Sequence, residues 1–239
     1  MDISTLTKTG NRECNEDSIG VIQGKDFLSL IVADGLGGQD HGEVASQIAV
    51  QTASELFNEA DWNDKVFDDY FQNTNDRVLE RQKLEEKPQN MMTTVVMGCI
   101  SGNMLHIAHS GDSRLYYFRH KKVKFRTIDH SVPQYLALSG EIKEKDIRNH
   151  PDRSRLLKAV GQSAGKDFYE VDKPIKTRSG DAILLCSDGF WEYVDENEMS
   201  RCLKSASSSD EWLKMMEDIA LDRGKESSMD NYSAIAVRF

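Results

Sequence analysis

The chain has 239 residues, 38% of them hydrophobic, which suits a folded globular protein and excludes a disordered chain. Its 30 Lys and Arg against 40 Asp and Glu leave a net charge of −10, which argues against nucleic acid and anionic membranes as partners. The four cysteines, Cys14, Cys99, Cys186 and Cys202, form no CxxC pair. A zinc cage or disulfide framework is therefore not expected, and a reducing cytoplasm is. Met1 and Asp2 open a polar run without a signal-peptide pattern. Apolar stretches such as 28–33 and 182–186 are too short to span a bilayer.

In chain order, residues 18–23 and 27–33 read as strands joined by a Gly24-Lys25-Asp26 turn. The second strand runs into Asp34-Gly35-Leu36-Gly37-Gly38. Val44, Ile48, Ala49, Thr52 and Leu56 follow helical spacing between about 42 and 59. A second amphipathic helix is predicted over 62–84 from Val66, Phe67, Tyr70, Val78 and Leu79. Strands resume at 93–100, 104–109, 115–119 and 122–127, with short hairpin connections. Residues 129–166 break into short charged pieces and are expected to form a flap over the sheet. Strands at 168–175 and 182–186, helices at 195–205 and 210–222, and a closing strand at 232–238 complete the pattern. Strands, two helices, many strands, two helices and a last strand do not make a βαβ alternation. The order predicts an α+β fold in one domain over 1–239, an antiparallel β-sandwich with helices outside.

Several apolar segments deliver an acidic residue to a strand end. They are Leu30–Gly35 with Asp34, Ile107–Arg114 with Asp112, and Ile183–Gly189 with Asp188. Glu16 and Asp17 precede one strand, and Asp230 and Asn231 precede the last. A single Asp-Gly is an ordinary turn. Five such sites on converging strand ends would repel one another unless a cation offsets them. An oxygen-only set suits Mg²⁺ or Mn²⁺ rather than zinc. Gly35, without a Cβ, can bring its carbonyl close to a metal or water.

These motifs, in this order, resemble the metal-dependent protein phosphatase 2C family of serine/threonine phosphatases. The likeness is carried by residues 12–18, 32–38, 42–46, Thr93-Thr94, Gly111–Arg114, Asp129-His130-Ser131, Ser187-Asp188-Gly189 and Asp230-Asn231. It implies a four-layer α/β/β/α sandwich of two antiparallel sheets flanked by helix pairs. It also implies two Mn²⁺ or Mg²⁺ ions bridged by Asp34, one completed by Asp188 and Asp230. The Gly35 carbonyl would serve the other, with Glu16 and Asp17 holding its waters. Asp112 with Asp188 matches a third metal site of many relatives, Asn231 stands in support, and Arg12 would grip the substrate phosphate.

Metal-activated water is the implied nucleophile, since no cysteine opens a phosphate-binding loop ending in Arg. Leu36 stands where many eukaryotic members carry a histidine that protonates the leaving oxygen, which points to a bacterial-type enzyme. His41 is the nearby alternative, with a solvated loop histidine as the plainer reading. The implied partners are phosphoserine and phosphothreonine proteins, including a serine/threonine kinase or its targets, with the enzyme a cytoplasmic monomer. Two other readings compete: a pseudophosphatase that binds without turnover, and an unrelated metal-dependent hydrolase. His106 and His109, three apart on a strand, should face opposite ways and share no ion. Trp62, Trp191 and Trp212 are expected to pack helices, and Arg114 to orient its own loop.

Overall fold

The computed structural model describes residues 1–36, 41–84, 91–162, 167–225 and 228–239. Among the described residues twelve strands build two sheets, and every pairing between named strands is antiparallel. The first half supplies β1 (Asp2–Lys8), β2 (Asp17–Gln23), β3 (Phe27–Leu36), β4 (Met92–Thr93), β5 (Val95–Ser101) and β6 (Met104–Ser110). The second supplies β7 (Arg114–Arg119), β8 (Lys122–Arg126), β9 (Glu170–Val171), β10 (Ile175–Lys176), β11 (Ala182–Cys186) and β12 (Tyr232–Arg238). One sheet runs β1-β12-β11-β7-β8 and the other β10-β6-β5-β3-β2, with β4 added to β3 and β9 to β6.

Alternation along the strands divides the interior into three apolar layers. Leu30, Val32, Val96, Ile107, Leu115, Ile183, Leu185 and Ile235 meet between the sheets. The opposite faces of β3, β5 and β6, with Ile31, Ala33, Val95, Met97 and Ala108, pack under helices α1 (His41–Phe57) and α2 (Val66–Gln82). Tyr116, Phe118, Leu184, Cys186, Ala234 and Ala236 pack under α5 (Glu196–Ser205) and α6 (Ser209–Gly224), which follow the one-turn helix α4 (Asp188–Trp191). This is the expected four-layer α/β/β/α sandwich of two antiparallel sheets.

Local chemistry sets the helix starts. Asp195 caps α5 by accepting from the Asn197 and Glu198 amides, while Glu198 reaches back to the Asp195 amide. Ser208 caps α6 through the Glu211 amide. Between β8 and β9 lie α3 (Val132–Leu138), begun by Pro133, and a 3-10 helix at Glu144–Asn149.

Three expectations need correction. β1 has no predicted counterpart, because Asp2–Lys8 is a half-exposed edge strand whose partner, β12, lies at the other end of the chain. The strand expected over 168–175 is two short ones, β9 and β10, separated by a segment that contains Pro174, which has no N–H for a ladder. The segment after β8 is tied into the body: Ile147 is buried, and Val160 pairs with Thr93 and joins the core under α2.

Candidate active site

The acidic strand ends predicted from the sequence come together. β2 and β3 pair in a register that sets Asp17 opposite Asp34. The β6–β7 turn supplies Asp112, the first residue of α4 is Asp188, and Asp230 precedes β12. Asp17 and Asp112 are buried, and Asp230 is half-exposed.

Proximity is visible in the electrostatics. Asp34 is held well above the ordinary carboxylate range by burial first, then by Asp188, Asp17, Asp112 and Asp230. Asp17 is pushed up to about 7 by burial, against hydrogen bonds from Ser233 and Ser187 and with repulsion from Asp188 and Asp230. Asp112 is raised well above its usual value by burial, then Asp188 and Asp129, with Arg114 opposing. Asp188 is raised by burial and Asp230, while a hydrogen bond from Asp34 opposes the rise. The cluster thus lacks enough positive charge of its own to offset its carboxylates.

Glycines permit the approach of the elements. A Cβ on Gly35 would stand 2.2 Å from the Gly42 carbonyl oxygen and 2.6 Å from that of Glu16. A Cβ on Gly189 would stand 2.1 Å from the Asn231 carbonyl oxygen. The backbone around Gly35 is pinned: its amide donates to the Glu16 carbonyl at 3.1 Å, and the Asp34 carbonyl accepts from the Thr94 amide at 2.8 Å.

Asn231 ties the N-terminal loop to the site. Its Oδ1 accepts from the Glu16 amide at 2.8 Å, and its Nδ2 donates to the carbonyls of Thr9 and Cys14 at 2.8 and 2.9 Å. Arg12 stands at the rim, half exposed, with one guanidinium nitrogen 2.7 Å from Asp230 Oδ2. Leu36 ends β3 and pairs with Met92, and His41 begins α1. Gly37, Gly38 and Gln39 lie outside the described residues.

Several supporting residues carry no sequence signal of their role. Ser187 Oγ donates to Asp17 Oδ2 at 2.8 Å and accepts from the Ser233 amide at 2.9 Å. Thr94 Oγ1 lies 2.7 Å from Ser113 Oγ and accepts from the Asp34 amide at 3.1 Å. Trp191 packs in the apolar layer under α5 and α6, and its Nε1 also donates to the Asp112 carbonyl at 3.0 Å, beneath the acidic turn. The Arg114 guanidinium lies 3.4 Å from the centre of the same ring and pairs through both carboxylate oxygens with Asp129, which ties the start of β7 to the loop after β8. Glu192, near Asp188, is pushed up to about 7 by burial and accepts from Arg153 Nε at 2.6 Å.

The residues fit hard divalent cations. Buried carboxylates from separate elements repel one another, and Asp17 Oδ1 is buried without a hydrogen-bond partner among the described residues. A buried oxygen with no donor beside like charges is what an oxygen-seeking cation relieves.

The sequence model of the protein phosphatase 2C family matches residues 7–223. The chain belongs to the protein phosphatase 2C family. A serine/threonine phosphatase, Stp, of Listeria welshimeri is 35% identical over 233 residues, which cover 95% of this chain and 90% of that protein. The structure of the serine/threonine phosphatase Stp1 from Staphylococcus aureus superposes with a TM-score of 0.88 at 26% identity, covering 100% of this chain and 95% of that one. The catalytic domain of the serine threonine protein phosphatase PstP, in complex with two manganese ions, gives a TM-score of 0.84 at 25% identity, covering 98% and 96%.

Proposed function

We propose that this chain is a metal-dependent serine/threonine protein phosphatase that hydrolyses phosphoserine and phosphothreonine with water as the nucleophile. The observation that supports it most is the convergence of Asp17, Asp34, Asp112, Asp188 and Asp230, each carboxylate raising its neighbours' pKa or having its own raised by them. Residues 1–239 act as one catalytic unit in this reading. Family membership and the named phosphatases among its relatives agree with it.

Asp34, Asp188 and Asp230 would hold one Mn²⁺ or Mg²⁺, and Asp34 with the Gly35 carbonyl a second, where Glu16 and Asp17 order water. Asp112 with Asp188 would hold a third. Bound there, the ions supply Lewis acidity toward water and the phosphoryl oxygens. The chain's own residues do the rest. Arg12 at the rim takes the phosphate oxygens through paired N–H donors and orients the ester. Ser187 holds one carboxylate oxygen of Asp17, and Thr94 holds the backbone at Asp34. Asn231 keeps Glu16 in place through its amide. Leu36 offers no proton, so the leaving oxygen must take one from water or another group.

The partners would be phosphorylated proteins, including a bacterial serine/threonine kinase or its targets, met in the cytoplasm by a monomeric enzyme. No helix among the described residues is long and apolar enough to cross a membrane. The deciding experiment is hydrolysis of a phosphothreonine peptide with and without Mn²⁺, in wild type and Asp34→Asn. Turnover should need the metal and fall by at least ~10³-fold in the variant. Metal-independent turnover, or full activity of Asp34→Asn, would overturn the proposal.

A further inference from the structure

Residues 148–158 reverse the charge balance of the chain. The protein carries a net charge of −10, yet this segment holds Arg148, Arg153, Arg155 and Lys158 against Asp152 alone. It lies beside the acidic site: the Leu157 amide donates to the His130 carbonyl, and the His130 amide to the carbonyl of Gly111, next to Asp112. Three of the four cations meet carboxylates that are not part of that site. Arg148 reaches Glu196 at 3.2 Å and the Val194 carbonyl at 3.4 Å. Lys158 stands 3.3 Å from Asp167, and Arg155 faces Asp152 at 3.7 Å.

Arg153 is placed differently. A compact turn carries it: its amide donates to the His150 carbonyl, the Arg155 amide to the Asp152 carbonyl, and the Asp152 amide to His150 Nδ1. The turn sets its Nε 2.6 Å from Glu192 Oε1. Glu192 lies one helical turn beyond Asp188, with its amide donating to the Asp188 carbonyl. Burial and then Asp188 push Glu192 up to about 7, with Arg153 opposing. At Asp188, raised by burial and Asp230, Arg153 is again among the groups that oppose the rise. The arginine and the acidic site thus share one electrostatic neighbourhood.

Only Nε of this guanidinium is used. The two terminal nitrogens of Arg153 make no hydrogen bond among the described residues, and 45% of the side chain is exposed. A fork fixed at its base by one carboxylate is preorganised for a second anionic group. Its partner Glu192 stands one turn from Asp188, a rise of about 5.4 Å. An extended peptide advances about 3.3 Å per residue, so this offset matches a side chain one or two positions from the phosphorylated residue. Arg12, paired with Asp230 itself, remains the group for the phosphate under attack.

We propose that Arg153 is a specificity residue that receives an acidic side chain of the substrate protein, one or two positions from the phosphorylated residue. The inference rests on the phosphatase reading and adds the class of sequence that the site prefers. The chain's excess negative charge repels an acidic segment, and an unused guanidinium at the approach offsets that repulsion locally.

Two phosphothreonine peptides test it, identical except for Glu or Gln at the two positions on either side of the phosphorylated residue. Steady-state kinetics in Mn²⁺ give the ratio of kcat/KM for the Glu peptide to that for the Gln peptide, in wild type, Arg153→Gln, Arg153→Lys and Arg155→Ala. A loss of folding or of metal scales both peptides and leaves the ratio alone. Wild type should favour the Glu peptide by ~5-fold or more at low ionic strength, and high salt should erode the preference. Arg153→Gln should bring the ratio to about unity, Arg153→Lys should keep part of the preference, and Arg155→Ala should keep the wild-type ratio. Turnover of both peptides with a wild-type ratio near unity, an unchanged ratio in Arg153→Gln, or an equal fall in Arg155→Ala would overturn this inference alone. No turnover of either peptide would overturn the phosphatase reading and this inference with it.

Discussion

Asp17→Asn should make the metal-free protein more stable while making the metal-loaded protein less so. Asp17 is buried, and burial pushes its folded-state pKa from the ordinary 3.8 up to about 7. At ~1.4 kcal/mol per unit, holding it ionised above neutrality costs up to about 4 kcal/mol. The cluster shares that cost among Asp34, Asp188 and Asp230, so a gain of about 1–3 kcal/mol is expected from the neutral amide. In a chain of this length each kcal/mol moves Tm by about 2–4 °C.

The sign with pH follows from the raised pKa. The folded form keeps its proton where the unfolded chain has lost it, so stability falls as pH rises from near 3.8 to about 7 and then levels. The advantage of Asp17→Asn should be full at pH 7.5 and vanish near pH 4. With saturating Mn²⁺ the order should invert, because the wild type gains RT ln(1 + [L]/Kd), about 2.7 kcal/mol at a hundredfold excess over Kd. The assay is thermal melting followed by circular dichroism in EDTA and in Mn²⁺ across that pH range. A variant that melts below wild type in EDTA at pH 7.5, or whose advantage does not shrink toward pH 4, would refute the reasoning.

Gly35→Ala puts a Cβ 2.2 Å from the Gly42 carbonyl oxygen, where backbone must move; urea melts should show a loss of about 1–3 kcal/mol or more. Trp191→Phe leaves the buried Asp112 carbonyl without its 3.0 Å donor, and should cost about 1–3 kcal/mol in the same melts and weaken metal activation. Arg12→Ala should raise KM for a phosphopeptide by ~10-fold or more, with kcat less affected, in steady-state kinetics. Its effect on stability should stay within about 1 kcal/mol, since the pair with Asp230 is half-exposed on both sides.

Much of this protein is legible in the amino-acid order because its signals are local. The strand predicted over 232–238 is β12 to the residue, and the alternating and helical periods find both helix pairs within a few residues. Acidic residues after apolar runs mark Asp34, Asp112 and Asp188, since a turn and a cation site need the same short, polar strand end. Even a negative could be read: His106 and His109 do face apart, His106 against Trp62 and His109 against His130.

Tertiary structure alone decided the rest, because the partners are distant in sequence and chemically plain. β1 is a strand only because β12 offers an edge more than 220 residues away. Ser187 and Asp17 are separated by 170 residues, and Trp191 and Asp112 by 79, yet these pairs hold the acidic cluster in place. The sandwich closes β9 onto β6 and the loop after β8 onto both, which turns an isolated His109 into a neighbour of His130, Glu170 and Asp172. Periodicity reports which face a side chain takes. Which strangers share that face depends on how the sheets pack.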